Sequence, residues 1–409
     1  MPAPLTLSPF KLHKNTKLAA TVVFVWLCLA GTLQKLTVLT NSDTARSDNS
    51  THLVDLPKPD LSRPRLRSIL SFTPTNGTSI IGDPQWLLDF AIIGFPKCGT
   101  TALQEWLSQH SEIAMLPSEV FSLTNHAPER LIYRLYTQLP ANRSIKRGYK
   151  NPLEIRAPHS LDYLAKYFPK TLLIVGIRHP IVWMESLYNF KVQNLPRQVH
   201  PSYWGDPNEL IGKCYEWNDT NCVGTAKGYF YLYLATLGKV PFPSSWSTDH
   251  PLYFSSNRLT RRLPNPIFLY ESRQLSDSNR TRASQFRKDL QQVLHLNSTL
   301  LPMTIHTKPD FTHFTSRQQH KRNKYKIRIC DDRYRYPLRH HLLQVARMTS
   351  EWIRSEFVHG TTQNAKNNDV YISSPEYFEQ LLQDWMMDPC DVMSSSDESN
   401  TNKDHNVTK

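Results

Sequence analysis

Short, almost continuous apolar runs alternate with amphipathic segments along the middle of the chain. Runs of this kind are typical of strands buried on both faces of a parallel sheet, and they lie at 89–95, 171–177 and 266–271. Helical patterns follow them at 100–109, 181–190 and 284–294, and two more occur at 338–357 and 375–387. Strands that alternate with helices predict an α/β, three-layer domain with a central parallel sheet.

The N-terminal region has a different pattern. Residues 18–34 contain the only strong apolar run, and Lys11, Lys14 and Lys17 precede it within the tail of residues 1–17. This charge asymmetry predicts a signal-anchor transmembrane helix with a cytosolic N-terminus and a lumenal main chain. A cleaved signal peptide is the alternative, because Ala30 could belong to a small-residue cleavage site. Both interpretations direct the chain into the secretory pathway.

Composition changes on either side of the α/β segment. Residues 35–85 are rich in Ser, Thr, Pro, Arg and Asp, which predicts a flexible lumenal stem. The folded domain is expected over 86–390, and the polar residues 391–409 are expected to be a disordered tail. Seven N-x-[ST] sequons agree with a lumenal glycoprotein, and they begin at Asn49, Asn76, Asn142, Asn218, Asn279, Asn297 and Asn406.

Charge and cysteine content narrow the expected partners. With 48 Lys+Arg against 35 Asp+Glu, the formal charge is +13, and such a surface attracts nucleotide phosphates, nucleic acid, anionic lipid or acidic glycans. Lumenal targeting argues against nucleic acid as a partner.

No C-x-x-C pair occurs among the six cysteines, which argues against a cysteine zinc site. Cys214 with Cys222 and Cys330 with Cys390 are candidate disulfide pairs, although spacing alone does not fix the connectivity.

The segment GFPKCGTT, residues 94–101, joins the first buried strand to its helix. Glycine allows close approach of backbone N–H groups to an anion, and a helix N-terminus adds partial positive charge. Lys97 supplies a cation, and the Thr100 and Thr101 hydroxyls supply further donors. The order of residues differs from the NTPase P-loop, because Thr100 follows Gly99 where the NTPase motif has lysine.

This segment resembles the 5′-phosphosulfate loop of Golgi-type carbohydrate sulfotransferases, especially the heparan-sulfate group. A second segment, in which Ser186 follows Arg178-His179-Pro180, resembles the part of that family that holds the 3′-phosphate of 3′-phosphoadenosine 5′-phosphosulfate (PAPS). Trp183 stands where the family often has a basic residue. The resemblance implies a P-loop-like domain with PAPS as co-substrate, bound by Pro96, Lys97, Cys98, Gly99, Thr100, Thr101, Arg178 and Ser186.

The same resemblance implies a catalytic set. Sulfuryl transfer needs a base for the acceptor and a cation for the leaving group. Glu119 lies in a segment similar to the family's base-bearing K-E-x-x-F-F, and Lys150 lies in one similar to its E-K-x-P, where Tyr149 replaces the glutamate. Lys97 and Lys150 are thus the expected cations and Glu119 the expected base, with no metal.

Several other residues are candidates for the same site. Lys321 and Arg322, in the basic run 317–328, match a family loop that touches PAPS, and a solvated basic loop is the alternative. His126 and His159 are alternative bases, whereas His179 is expected to be incidental. Residues 194–226 are rich in aromatic residues and are a hypothetical acceptor lid.

The expected protein is therefore a single-pass type II Golgi membrane sulfotransferase with a lumenal catalytic domain. Its acceptor is a hydroxyl or amine, with a carbohydrate as the expected class. The alternatives are a P-loop kinase, which would need ATP, magnesium and a lysine after Gly99, and a non-catalytic glycan-binding protein with the same fold.

Overall fold

A computed structural model describes residues 64–73, 77–142, 144–194, 230–239, 263–303, 326–331, 333–360 and 369–391. The predicted tail 1–17, the signal-anchor 18–34, and residues 195–226 of the aromatic segment lie outside these ranges, as do Cys214, Cys222, Lys321 and Arg322. Within the described residues, no helix is long and apolar enough to cross a membrane.

The centre of the described fold is a parallel sheet of six strands in the order β4-β5-β3-β6-β7-β8. Its strands are β3 (Phe90–Gly94), β4 (Ile113–Met115), β5 (Lys146–Lys150), β6 (Leu172–Ile177), β7 (Ile267–Glu271) and β8 (Val370–Ile372). A separate antiparallel pair consists of β1 (Leu70–Thr73) and β2 (Gly77–Ile80). The predicted central parallel sheet is confirmed.

Helices cover both faces of this sheet. They are α1 (Leu66–Ile69), α2 (Thr100–Leu107), α3 (Pro128–Gln138), α4 (Pro158–Tyr167), α5 (Pro180–Asn194), α6 (Phe230–Ala235), α7 (Arg280–Val293), α8 (Tyr336–Ile353) and α9 (Pro375–Gln383). Five 3₁₀ turns, Gln85–Leu87, Glu154–Arg156, Ser272–Ser276, Arg333–Arg335 and Asp384–Met386, and a π-helical turn, Arg354–His359, complete the described elements.

Alternation along the strands separates two hydrophobic cores. Phe90 and Ile92 of β3 pack on one face with α2 and α7, whereas Ala91 and Ile93 pack on the other face with α3, α4, α5 and α8. Successive side chains of a strand point to opposite faces, so a strand that is apolar throughout contributes to both cores. The three-layer arrangement follows from this pattern.

The connections after β3 and β6 create a crevice at the carboxyl edge of the sheet. These two strands are neighbours, but β3 leads to α2 on one face and β6 leads to α5 on the other. Ligands of open α/β sheets bind where adjacent connections diverge in this way. The predicted phosphate segments, which follow β3 and β6, therefore meet at one place.

Two parts of the fold differ from the sequence prediction. Strand β5, with the sequence KRGYK, was not predicted because it lacks an apolar run; its Arg147 is buried by pairing with Asp89 at 3.3 Å. The elements α1, β1 and β2 fall within residues 35–85, the range predicted as stem. Ile69 and Leu70 are buried there and belong to the main core, a contribution too short to produce a periodic signal.

One of the two candidate disulfides is present. Cys330 and Cys390 are bonded across a sequence separation of 60 residues. The bond links the segment 326–331, which begins within the basic run 317–328, to the end of the described chain.

Candidate functional site

The loop between β3 and α2 has the strained backbone that a close approach to an anion requires. Lys97 has φ 68° and Gly99 has φ 80°, both in the left-handed region. A Cβ atom on Gly99 would lie 2.5 Å from Leu275 Cδ1, so glycine is needed there for space as well as for conformation.

Three consecutive carbonyl groups of the loop are bonded to side chains from other elements. The Pro96 oxygen accepts from Trp183 Nε1 at 2.8 Å, and the Lys97 oxygen accepts from Arg178 Nη1 at 3.1 Å. The Cys98 oxygen accepts from the Tyr270 hydroxyl at 2.9 Å. The donors come from α5, from the end of β6 and from β7, and together they fix the orientation of the loop's peptide groups.

The amides that follow are left as donors. Among the described residues, the N–H groups of Gly99, Thr100 and Thr101 have no backbone acceptor. Unpaired N–H groups at a helix start, next to residues with positive φ, form a concave anion site that the helix dipole reinforces. The loop that the sequence singled out thus has the geometry of a phosphate or sulfate site.

Lys150 connects this loop to the predicted base. Its Nζ donates to Thr101 Oγ1 at 2.9 Å and lies 3.1 Å from Glu119 Oε1. Only 4% of the Lys150 side chain is exposed, against 37% for Glu119, so the ammonium is fixed inside while the carboxylate faces the opening. Lys150 is therefore within contact distance of two residues that were predicted from separate motifs.

Arg178 and Lys97 occupy the other side of the loop. Arg178 is half-buried at the end of β6. Burial raises the pKa of the nearby Glu271 carboxyl, and the charges of Arg273 and then Arg178 offset part of this rise. The Lys97 ammonium lies 4.4 Å from the centre of the Phe190 ring on α5. The site thus contains three cationic side chains around one loop.

Ser186 lies on α5, half-buried, two turns beyond Arg178. Glu185, its neighbour, accepts from the Ile329 N–H at 2.7 Å, and Asn189 exchanges two hydrogen bonds with the Ile327 backbone at 2.9 and 3.0 Å. The end of the basic run 317–328 and the residue after it, Ile329, are therefore held against the same helix that carries Ser186.

A cavity of about 370 Å³ is lined in part by Leu275, whose side chain also lies next to Gly99 of the loop. Its apolar wall includes Trp106 and Met303, and Arg280 and Arg287 lie at its edge. Apolar and polar residues contribute about equally to its lining, and a concave site with both kinds of group can hold a small ligand. Sequence reasoning missed this cavity because its walls come from α2, residues 274–278, α7 and residues 302–303, which share no motif.

A buried polar network lies behind Lys150. Asn151 Nδ2 donates to Glu154 Oε1 at 2.9 Å, and both side chains are fully buried. Glu154 Oε2, the Tyr149 hydroxyl and the Ser160 hydroxyl are buried without a well-formed hydrogen bond in the described structure. All three are close enough to interact, because Ser160 and Tyr149 lower the pKa of Glu154 while burial raises it to about 7. No sequence motif predicts this network.

The remaining candidates are placed as follows. Burial raises the pKa of the Cys98 thiol well above its usual value, so Cys98 is a packing residue. Burial, and then the charge of Arg273, lowers the pKa of His179 to about 4, and its ring packs against Trp385. His126 and His159 stack on each other with ring centres 3.8 Å apart.

Trp183 shows what replaces the basic residue expected from the resemblance. Its indole is fully buried and bonds the loop through Pro96. At the position where the resemblance leads one to expect a basic residue, Trp183 therefore stabilises the loop with a neutral hydrogen bond. In the described residues, no group of three or more His, Cys, Asp or Glu side chains is placed to hold a metal ion; the expectation that no metal is needed stays a prediction.

Comparisons with known proteins give a limited result. No protein-family profile and no curated protein sequence matches the chain. Among solved structures, the chain is similar to a sulfotransferase from Alicyclobacillus acidocaldarius, with 16% identity and a TM-score of 0.36. The match covers 58% of this chain and 94% of that one. A likeness at this level does not identify an activity.

Replacing Gly99 with alanine should abolish anion binding at the loop. The left-handed conformation costs alanine about 1–2 kcal/mol, and its Cβ would collide with Leu275. We expect the affinity for adenosine 3′,5′-bisphosphate, measured by calorimetry, to fall more than about tenfold. Gly360→Ala is the control, because Gly360 has an ordinary helical φ of −65°. Equal affinities for the two variants would contradict the assignment of the loop.

Replacing Glu154 with glutamine should flatten the pH dependence of stability. Between pH 4.5 and about 7 the folded protein retains the Glu154 proton that the unfolded chain has lost, so rising pH destabilises the folded state. No charged side chain is among the causes of this shift. Over that pH interval the free energy of unfolding of the wild type should fall by on the order of 3 kcal/mol relative to that of Glu154→Gln. Urea unfolding at a series of pH values measures this difference. Parallel pH profiles would show that Glu154 does not titrate in this way.

Proposed function

We propose that this chain is a sulfotransferase that moves a sulfuryl group from PAPS to a hydroxyl or amine of a carbohydrate acceptor. The observation that supports this most directly is the bridge formed by Lys150. It joins the Thr101 hydroxyl of the phosphate loop to the Glu119 carboxylate, so an anion site and a base share one buried cation.

The parts of PAPS fit the parts of the site. The phosphosulfate would lie on the N–H groups of residues 99–101, next to Lys97. Arg178 and Ser186 would hold the 3′-phosphate, and the base would enter the cavity lined by Trp106, Leu275 and Met303. An arginine provides two parallel N–H donors for a phosphate, which suits Arg178 for this position.

The chemical step follows from these positions. The acceptor oxygen or nitrogen forms a bond to sulfur while the bond from sulfur to the bridging phosphate oxygen breaks. Glu119 takes the acceptor's proton. Lys97 and Lys150 offset the charge that grows on the departing adenosine 3′,5′-bisphosphate. The transferred group carries less charge than a phosphoryl group, so these cations replace the metal that phosphoryl transfer needs.

The cellular setting belongs to the same proposal. The apolar run at 18–34, the lysines before it and the sequons predict a type II Golgi membrane protein with a lumenal catalytic domain. The formal charge of +13 suits an acidic or polyhydroxylated glycan acceptor better than an apolar one.

Transfer of radiolabelled sulfate from PAPS to a panel of glycans tests the function. We expect incorporation by the wild type, with losses of about 10²–10³ in Lys97→Ala and about 10²–10⁴ in Glu119→Gln. Lys288→Ala and Glu376→Gln, which alter exposed residues of α7 and α9, are the matched controls.

Each alternative predicts a different result in this assay. Transfer of the γ-phosphate of ATP, in the presence of magnesium, would indicate a kinase. Glycan binding without any transfer would indicate a non-catalytic protein. Sulfate transfer that is unchanged in Lys97→Ala would contradict the mechanism, whereas an unchanged rate in Glu119→Gln would remove only the base assignment.

A further inference from the structure

The 3₁₀ turn Glu154–Arg156 lies directly beneath the two segments that carry the expected cations. The chain enters it from Lys150, the last residue of β5. Ile155, the residue after Glu154, fills the space beside Gly94 at the end of β3. A Cβ atom on Gly94 would lie 2.5 Å from Ile155 Cγ2. The turn therefore supports both the start of the phosphate loop and the end of the strand that bears Lys150.

Asn151 transmits this support to Lys150. Its backbone N–H donates to the Ile92 oxygen of β3 at 3.0 Å, and its Oδ1 accepts from the Leu153 N–H at 3.1 Å. Its remaining side-chain group, Nδ2, donates to Glu154 Oε1 at 2.9 Å. The Glu154 carboxyl thus completes the set of bonds that fixes the residue next to Lys150.

Burial of a carboxyl group destabilises the folded state unless hydrogen bonds compensate for the lost water. Glu154 is fully buried, and no basic side chain pairs with it among the described residues. Burial of an unpaired carboxyl favours its neutral form. The neutral form can accept from Asn151 and donate its own proton to the Tyr149 or Ser160 hydroxyl, both of which lie buried beside it.

We infer that Glu154 is a positioning residue for sulfuryl transfer, which acts through Asn151 to aim the Lys150 ammonium between Thr101 and Glu119. The inference rests on the proposed function, since it concerns the geometry of the transfer step. It assigns to Glu154 no contact with PAPS or acceptor. A displacement of about 1 Å at Lys150 is enough to slow the reaction by up to about a hundredfold, whereas the loop and Arg178 would keep their hold on the nucleotide.

The test compares two substitutions at Glu154. Glu154→Met keeps the length of the side chain and removes its hydrogen bonds, so kcat should fall about 10- to 100-fold with the KM for PAPS changed less than about twofold. Glu154→Gln can still accept from Asn151 and donate to Tyr149 or Ser160, so it should retain kcat within about threefold. Asp162→Asn, an exposed acid on α4, is the control.

A double-mutant cycle with Lys150→Ala distinguishes positioning from general loosening of the fold. If Glu154 acts through Lys150, Glu154→Met should have little further effect on kcat once Lys150 is alanine. Asn151→Ala removes the same hydrogen bond from the donor side and serves if Glu154→Met unfolds, which a thermal melt would reveal. The same loss of kcat is expected.

The outcomes separate the two proposals. Absence of sulfate transfer by the wild type on every panel glycan would overturn the proposed function and this inference with it. Transfer by the wild type, with Glu154→Met either unchanged or equally harmful in both Lys150 backgrounds, would overturn the inference alone.

Discussion

The site depends on one constraint. Three successive carbonyl groups of the loop after β3 accept hydrogen bonds from side chains outside the loop. Trp183, Arg178 and Tyr270 each donate to one of them. With those oxygens fixed, the amide N–H groups that open α2 face a common point without backbone acceptors. In a parallel sheet such an edge is the natural ligand site, and here the loop supplies its N–H donors.

The same edge brings the reacting groups together. Lys150 ends β5 and the loop follows β3, and these neighbouring parallel strands present their carboxyl ends side by side. The Lys150 ammonium therefore reaches Thr101 on one side and Glu119 on the other. The ammonium is almost fully buried, whereas the Glu119 side chain is 37% exposed, so water screens part of their attraction. Behind it, Asn151 and Glu154 determine where the strand ends.

Local sequence predicted the loop and the strands beside it because each produces a signal within a few residues. The runs that form β3, β6 and β7 are apolar throughout, and the segment 94–101 has glycine, lysine and threonine in a characteristic order. The resemblance to a family then joined Arg178, Glu119 and Lys150 to that loop, and the structure places Arg178 and Lys150 in contact with it.

What local sequence could not predict depends on contacts between distant segments. Strand β5 is polar, and its buried Arg147 is paired with Asp89 from the segment before β3. Trp183 was noted only as a departure from a pattern, and its bond to the Pro96 oxygen needs α5 to pack across the loop. Glu154 resembled any surface glutamate, since burial of a carboxyl without a basic partner leaves no mark in the sequence. The roles of Lys321 and Arg322 remain predictions, because both lie outside the described residues.

Calorimetric titration of the protein with adenosine 3′,5′-bisphosphate and with 5′-AMP tests the central claim most directly, because the two ligands differ by the group assigned to Arg178. We predict that the bisphosphate binds at least about tenfold more tightly, and that Arg178→Ala removes most of the difference. Failure of the bisphosphate to bind, or equal affinity for the two nucleotides, would contradict the account.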